Sequence, residues 1–308
     1  MNRHCYDAYS CAFFKIVNNI LYKKYIYILK VDMQQNNEIM DRIEEENRAI
    51  TKNISKIKNK FIVLSGKGGV GKTTFSVNLA SYFAGKGYMT GLLDVDIHGP
   101  NVNKMLGLGS KGLMQKDGRI IPIVTDENLK VVSTASVIGD PDTPLIWRGP
   151  LKMKLIKQFL SEVNWGELDF LIIDSPPGTG DEPLSAIQLI KDIRGAIIIT
   201  TPQEVSILDA RKSIIFARTL NIPYIGLVEN MSGLVCPHCN KEIELFGTGI
   251  AEETSKEMEI EFLGKIPMDP EIVKLSDNGK PFISSKKQSP IADAFNIIAE
   301  KIIAKSVL

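Results

Sequence analysis

The chain has 308 residues, with 37 Lys and Arg against 36 Asp and Glu, for a net charge of +1. At 44% hydrophobic and 24% charged residues it has the apolar mass of one large or two ordinary folded domains, which excludes wholesale disorder, and the balanced charge excludes a protein that coats nucleic acid through a basic excess. No run approaches the roughly 18 apolar residues of a membrane span, and four cysteines in this length are too few for a disulfide framework, so a soluble intracellular protein is expected.

Residues 1–32 differ in composition from the rest of the chain. They are rich in tyrosine (Tyr6, Tyr9, Tyr22, Tyr25, Tyr27), and Lys23 and Lys24 break the apolar stretch that a secretory signal needs. One Arg and one Ser are too few for a mitochondrial presequence. We expect a poorly ordered or mis-called extension, and a cytoplasmic location rather than a mitochondrial one. Residues 33–59 are expected to form an N-terminal helix. Ile43, Ile50, Ile54 and Ile57 recur at helical spacing, and Glu44, Glu45 and Glu46 precede Lys52, Lys56 and Lys58, the order the helix macrodipole favours.

From residue 60 to 308, short β-rich runs alternate with helical patterns. Strands are expected at Phe61–Ser65, Thr90–Val95, Leu129–Ser133, Phe170–Asp174, Ala196–Thr200, Tyr224–Glu229 and Phe262–Ile266. Helices are expected at Lys72–Gly85, Leu151–Val163, Leu184–Ile190, Ile207–Leu220, Ile250–Met258 and Ile291–Ala304. Most of the strands are continuous apolar runs, the pattern of strands covered on both faces. The rhythm predicts an α/β fold, a doubly wound and mostly parallel sheet flanked by helices, with ligands at the C-terminal ends of the strands.

The first strand runs into Gly66-Lys67-Gly68-Gly69-Val70-Gly71-Lys72-Thr73-Thr74, which satisfies G-x-x-x-x-G-K-[ST] between a strand and a helix. Glycines let backbone N–H groups curl around a polyphosphate, and the helix N-terminus adds partial positive charge. Lys72 is expected on the β- and γ-phosphates of ATP and the Thr73 hydroxyl on Mg²⁺. Asp94 and Asp96 close the next strand, and period-2 geometry points both carboxylates the same way. Leu171-Ile172-Ile173-Asp174 is an apolar strand ending in a carboxylate, the arrangement that holds Mg²⁺ in P-loop NTPases. Asn230 and Pro267 each follow or end an expected strand.

Cys236-Pro237-His238-Cys239 is the second chemical signal. Two thiolates at this spacing ligate one metal, and a tetrahedral thiolate site needs about four. The domain supplies two, since Cys5 and Cys11 lie in the separate N-terminal segment. A two-fold dimer would supply four, which implies a metal shared across an isologous interface. By spacing alone zinc and an iron–sulfur cluster are equally suited.

The loop with its extra lysine, Lys67, resembles the deviant-Walker ATPases, the group of MinD, ParA, the nitrogenase iron protein and the Mrp/ApbC proteins. Asp96-Ile97-His98-Gly99-Pro100, Trp147-Arg148-Gly149-Pro150, Asp174 to Asp181, Pro202-Gln203-Glu204-Val205, Val228 to Gly233 and Ile266-Pro267-Met268-Asp269 resemble the Mrp/ApbC branch, over essentially Phe61 to Phe282. The resemblance implies a homodimeric, ATP-hydrolysing carrier that holds a labile [4Fe-4S] cluster between paired C-x-x-C motifs and delivers it to apo iron–sulfur proteins. It implies that Lys67 reaches the partner's nucleotide, as an arginine finger does. It also places Asp94 near Mg²⁺, Asp96 on the attacking water, and Asn230 and Pro267 beside adenine. On this ground the metal of Cys236 and Cys239 is expected to be iron–sulfur, with zinc as the alternative. One departure is Asn101-Val102-Asn103, where the family usually has Ser and then Pro. The alternative function is a MinD- or ParA-like positioning switch with a structural zinc. The mixed-charge C-terminal helix and the neutral balance argue against it, so neither membrane nor nucleic acid is an expected partner. A nitrogenase-iron-protein-like reductase ranks last, because its ligand cysteines are widely spaced.

Overall fold

The computed structural model describes residues 38–306, apart from 98, 110–111, 126–127, 139–148, 236–241, 248 and 287. Cys5, Cys11, His98, Trp147, Arg148, Cys236, His238 and Cys239 therefore lie outside the described residues, as does the whole 1–32 segment. The chain divides into two units at Arg48 and Ala49. In the first, residues 38–48 are helical and exposed, with an Arg48–Glu44 ion pair at 2.9 Å.

The second unit opens with helix α1 (residues 49–54), where Ile50 and Ile54 are buried. The helix ends earlier than its charge pattern predicts, and residues 57–59 are strand rather than helix. β1 (Ile57–Leu64) begins at Ile57, and from Phe61 to Leu64 successive residues alternate between two layers of core. Lys60 stabilises the change of structure: its Nζ donates to the carbonyls of Ile54 at 3.3 Å and Ile57 at 2.8 Å. Burial holds the Lys60 ammonium below its usual pKa.

The chain continues through α2 (Lys72–Gly85), β2 (Thr90–Asp94), α3 (Val102–Met105), β3 (Met114–Lys116), β4 (Arg119–Ile121), β5 (Ile123–Val124), β6 (Leu129–Ser133) and α4 (Ala135–Ile138). Then come α5 (Gly149–Ser161), β7 (Leu168–Asp174), α6 (Asp181–Leu189), β8 (Gly195–Thr200), α7 (Glu204–Thr219) and β9 (Ile225–Val235). The last elements are β10 (Glu242–Ile243), α8 (Ile250–Glu257), β11 (Glu261–Met268), α9 (Pro270–Asp277), α10 (Phe282–Ser285) and α11 (Pro290–Ala304). All seven expected strands and all six expected helices after residue 60 are present, with ends displaced by a few residues.

Nine strands form the main sheet in the order β10-β9-β8-β1-β7-β2-β6-β5, with β11 pairing β9. The pairs among β11, β9, β8, β1, β7, β2 and β6 are parallel, while the short edge strands β5 and β10 run antiparallel. Alternation splits the apolar residues between two layers of core. Ile62, Leu64, Leu171, Ile173 and Ile198 face α5 to α8, whereas Phe61, Val63, Phe170, Ile172 and Ile197 face α2, α10 and α11. This is the doubly wound architecture the sequence pattern predicts. Strands buried on both sides leave their C-terminal ends as the exposed edge where polar chemistry collects.

Candidate nucleotide-binding site

β1, β2 and β7 end side by side. Register pairs Val63 with Asp174 and Asp94 with Asp174, so the phosphate loop after β1 and the carboxylates closing β2 and β7 emerge at one level. The loop enters α2 through Gly71, whose φ of 85° is left-handed. A Cβ there would sit 2.3 Å from Asn230 Nδ2, so only glycine fits. Around Gly68 and Gly69 the space is open to 4 Å, a cradle that side chains would fill.

Asp174 is the hub. Its Oδ1 accepts from Lys72 Nζ at 2.7 Å and Ser76 Oγ at 2.8 Å, and its Oδ2 accepts from Thr73 Oγ1 at 2.7 Å. Asp94 lies on the adjacent strand, with Oδ2 accepting from Ser133 Oγ at 2.8 Å and Oδ1 from the Asp96 amide at 3.0 Å. Burial, and then the charge of Asp174, pushes the Asp94 carboxyl up to about 8. Two buried carboxylates side by side beneath a phosphate cradle are the donor set of a divalent oxygen-seeking cation, so Thr73, Asp94 and Asp174 fit Mg²⁺. Asp96 is buried at the rim of the site, where its Oδ1 accepts from the Gly99 amide at 3.1 Å.

Asn230 donates from Nδ2 to the Val70 carbonyl at 2.8 Å, which ties the end of β9's in-register stretch to the phosphate loop. A cleft of about 130 Å³ opens beside the loop, lined by Gly71, Thr74, Asn230, Met231, Pro267 and Ile272 among others. Asn230 and Pro267 thus line a cleft that adjoins the start of α2. Lys67 folds back within its own chain, its Nζ donating to Gln203 Oε1 at 3.3 Å. The departure at Asn101-Val102-Asn103 falls on α3: Val102 is buried, and Asn103 donates to Ser136 Oγ of α4 at 2.8 Å.

Sequence reasoning passed over Ser76, Ser133 and Glu229. Ser76 had a legible signal, since it stands one helical turn after Lys72 on the same face. Ser133 closes an apolar strand beside β2, which ends in Asp94. Glu229 lies in the Val228 to Gly233 segment that carries the family resemblance, but a carboxylate at a strand end reads as exposed until its neighbours are placed.

The chain matches the protein family described as ParA: NUBPL iron-transfer P-loop NTPase over residues 56–303. An iron-sulfur cluster carrier protein of Methanocaldococcus jannaschii is 50% identical over 263 residues, covering 85% of this chain and 90% of that protein. A cytosolic Fe-S cluster assembly factor NUBP2 homolog of Dictyostelium discoideum is 50% identical over 230 residues, covering 73% of this chain and 87% of that protein. Among solved structures, a nucleotide-binding protein of Archaeoglobus fulgidus in complex with ADP, in which cobalt was found, superposes with a TM-score of 0.70. It is 36% identical and covers 81% of this chain and 96% of its own. The cell division protein MinD of Aquifex aeolicus superposes with a TM-score of 0.59 at 22% identity, covering 81% and 98%, a likeness of fold.

Proposed function

The chain belongs to the NUBPL iron-transfer family of P-loop NTPases, and we propose that it is an ATP-hydrolysing homodimer that carries a [4Fe-4S] cluster on paired Cys236 and Cys239 and delivers it to apo iron–sulfur proteins. Membership makes it an ATPase. The observation that carries the hydrolytic half is the gathering of Lys72, Thr73 and Ser76 on Asp174, next to Asp94, beneath an open glycine cradle. The cargo half is supported by the C-x-x-C pair and by the names of relatives about half identical to this chain. The Dictyostelium relative's name also supports a cytoplasmic setting, and among the described residues no helix is long and apolar enough to cross a membrane.

The backbone N–H groups of Gly66 to Thr74 and the α2 N-terminus bind the phosphates of ATP. Lys72, paired with Asp174 in the free site, exchanges that carboxylate for the β- and γ-phosphates. Asp174, Thr73 and Asp94 would hold Mg²⁺, which when bound would supply Lewis-acid neutralisation of phosphate charge. Asp96 orients the attacking water. Asn230 and Pro267 flank the adenine in the adjoining cleft. Lys67 leaves Gln203 and crosses to the partner's nucleotide, adding a cation where charge builds up in the transition state. Two cysteines from each subunit make the four thiolates that a cubane cluster needs.

The deciding experiment is anaerobic reconstitution with iron and sulfide, comparing wild type with Cys236→Ala/Cys239→Ala. Cluster absorption with equimolar iron and sulfide, lost in the double variant while nucleotide affinity persists, is the expected result. A tightly held zinc that iron does not displace would instead make the cysteines a structural staple of a nucleotide-switched dimer.

A further inference from the structure

β9 changes character halfway along its length. Through Ile225–Glu229 it is paired in parallel with β8, and through Asn230 with β11. The register with β11 shifts once earlier, between Leu227 and Val228, and again beyond Asn230: Asn230 opposes Ile266 and Leu234 opposes Met268, so four steps along β9 match two along β11. Met231 (φ 56°) and Gly233 (φ 77°) both adopt left-handed backbone at this slip. For methionine that conformation is strained and persists only where its surroundings impose it. Past the kink, Leu234 and Val235 pair with Ile243 and Glu242 of β10. In the chain, Cys236 and Cys239 fall between Val235, the last residue of β9, and Glu242, the first of β10.

Glu229 holds this kink. Its side chain is fully buried. Its Oε1 accepts from Ser232 Oγ at 2.5 Å and from the Gly249 amide at 3.2 Å, and its Oε2 accepts from the Ala251 amide at 3.0 Å. Ser232 precedes the cysteines, whereas Gly249 and Ala251 at the start of α8 come after them. One carboxylate thus ties together both ends of the segment that bears the pair. Successive strand residues point to opposite faces, and Asn230, the next residue, turns the other way to hold the phosphate loop at Val70. Two adjacent residues therefore grip the two functional segments, and the pairing of Glu229 with Thr200 of β8 and of Glu229 and Asn230 with Lys265 and Ile266 of β11 restrains the backbone between them.

We propose that Glu229 is a positioning residue that couples nucleotide to cargo. It fixes Ser232 before the cysteines and Gly249 and Ala251 after them, and through Asn230 the state of the phosphate loop sets how firmly these flanking residues are held. The proposal rests on the carrier reading for the identity of the cargo, but its mechanical content does not depend on iron.

The test uses the full-length protein with two substitutions, neither in the hydrolytic or thiolate machinery. Glu229→Gln keeps the shape but sets an amide NH₂ against an N–H donor. Ser232→Ala removes a single donor and decides the matter if Glu229→Gln fails to fold. Amide hydrogen exchange over residues 231–251 is expected to accelerate at least about tenfold in either variant, with α2 exchange unchanged. In wild type, Mg-ATP is expected to slow exchange over 231–251 and to alter the rate at which a ferrous chelator strips reconstituted iron. In the variants both responses should fall below about twofold, with affinity for a fluorescent ATP analogue preserved. Wild-type exchange together with a wild-type nucleotide response in Ser232→Ala overturns the proposal. If wild type takes up no iron, the carrier reading fails, and exchange alone decides the coupling: a nucleotide response that survives in the variants overturns it, and one that disappears supports it.

Discussion

Lys72 and Asp174 form a buried ion pair at 2.7 Å, their side chains 6% and 0% exposed. Such a pair is weak evidence of stability in itself, but losing one partner leaves the other charge stranded. Thr73 and Ser76 would remain as hydroxyl donors to Asp174, and neither supplies a cation. Lys72→Ala is therefore expected to abolish ATP turnover and to lower unfolding free energy in urea by about 3 kcal/mol. Added Mg²⁺ should return part of that stability by supplying a cation beside Asp174 in place of the lost ammonium. A variant as stable as wild type without Mg²⁺ would show that Asp174 is not held charged by Lys72. At this scale the sequence was informative where a residue's role comes from local spacing, as for Lys72, Thr73 and Asp174. It was silent on Ser133 and Glu229, whose partners Asp94 and Ala251 are 39 and 22 residues away.

α2 is anchored at one end by the phosphate loop and at the other by aromatic packing. Phe83 stacks on Phe170 of β7 with ring centroids 4.3 Å apart, and Tyr88 meets both rings edge-on. Phe83 is fully buried, so Phe83→Ala is expected to cost about 3–5 kcal/mol. Calorimetry should record this as a lower Tm, while affinity for a fluorescent ATP analogue stays close to wild type, because Lys72 and Thr73 lie at the opposite end of the helix. A large loss of affinity at unchanged Tm would contradict that separation. The main strands were legible because burial on both faces writes them as unbroken apolar runs. The short β3, β4, β5 and β10, each of two or three residues, are too brief to show a period. α9 was overlooked although Asp269 caps it, accepting from the Glu271 amide at 2.8 Å, and Pro270 opens it. The overrun of α1 into β1 has a different cause. Lysines alternate through Ile57-Lys58-Asn59-Lys60 and continue the helical charge pattern, whereas Lys60 is in fact buried, donating to the Ile54 carbonyl at the end of α1 and the Ile57 carbonyl at the start of β1.

For the whole molecule, the proposed dimer depends on Lys67 giving up an intrachain contact. Its bond to Gln203 is long for a charged donor, at 3.3 Å. A partner's polyphosphate offers a stronger acceptor. Sedimentation with a non-hydrolysable ATP analogue and Mg²⁺ is expected to show wild type at about twice its nucleotide-free mass. Lys67→Ala should bind the analogue yet remain monomeric, with ATP turnover reduced about 10³-fold or more. Wild-type turnover in Lys67→Ala would remove the trans role and leave Lys67 as a surface lysine of its own loop.

By itself the sequence determined the doubly wound class and the phosphate-loop motif, and it marked Lys67, Lys72, the three aspartates and the cysteine pair as candidate site residues. Each of these is written in residues close together in the chain, where backbone period and motif spacing carry the information. Only the tertiary structure decided that Asp174 gathers Lys72, Thr73 and Ser76, that Asp94 is raised by its neighbour, and that Glu229 grips both ends of the cysteine segment. Those relations depend on strand order and register, which bring distant residues to one edge of the sheet, and on burial, which converts an ordinary carboxylate into a structural clamp.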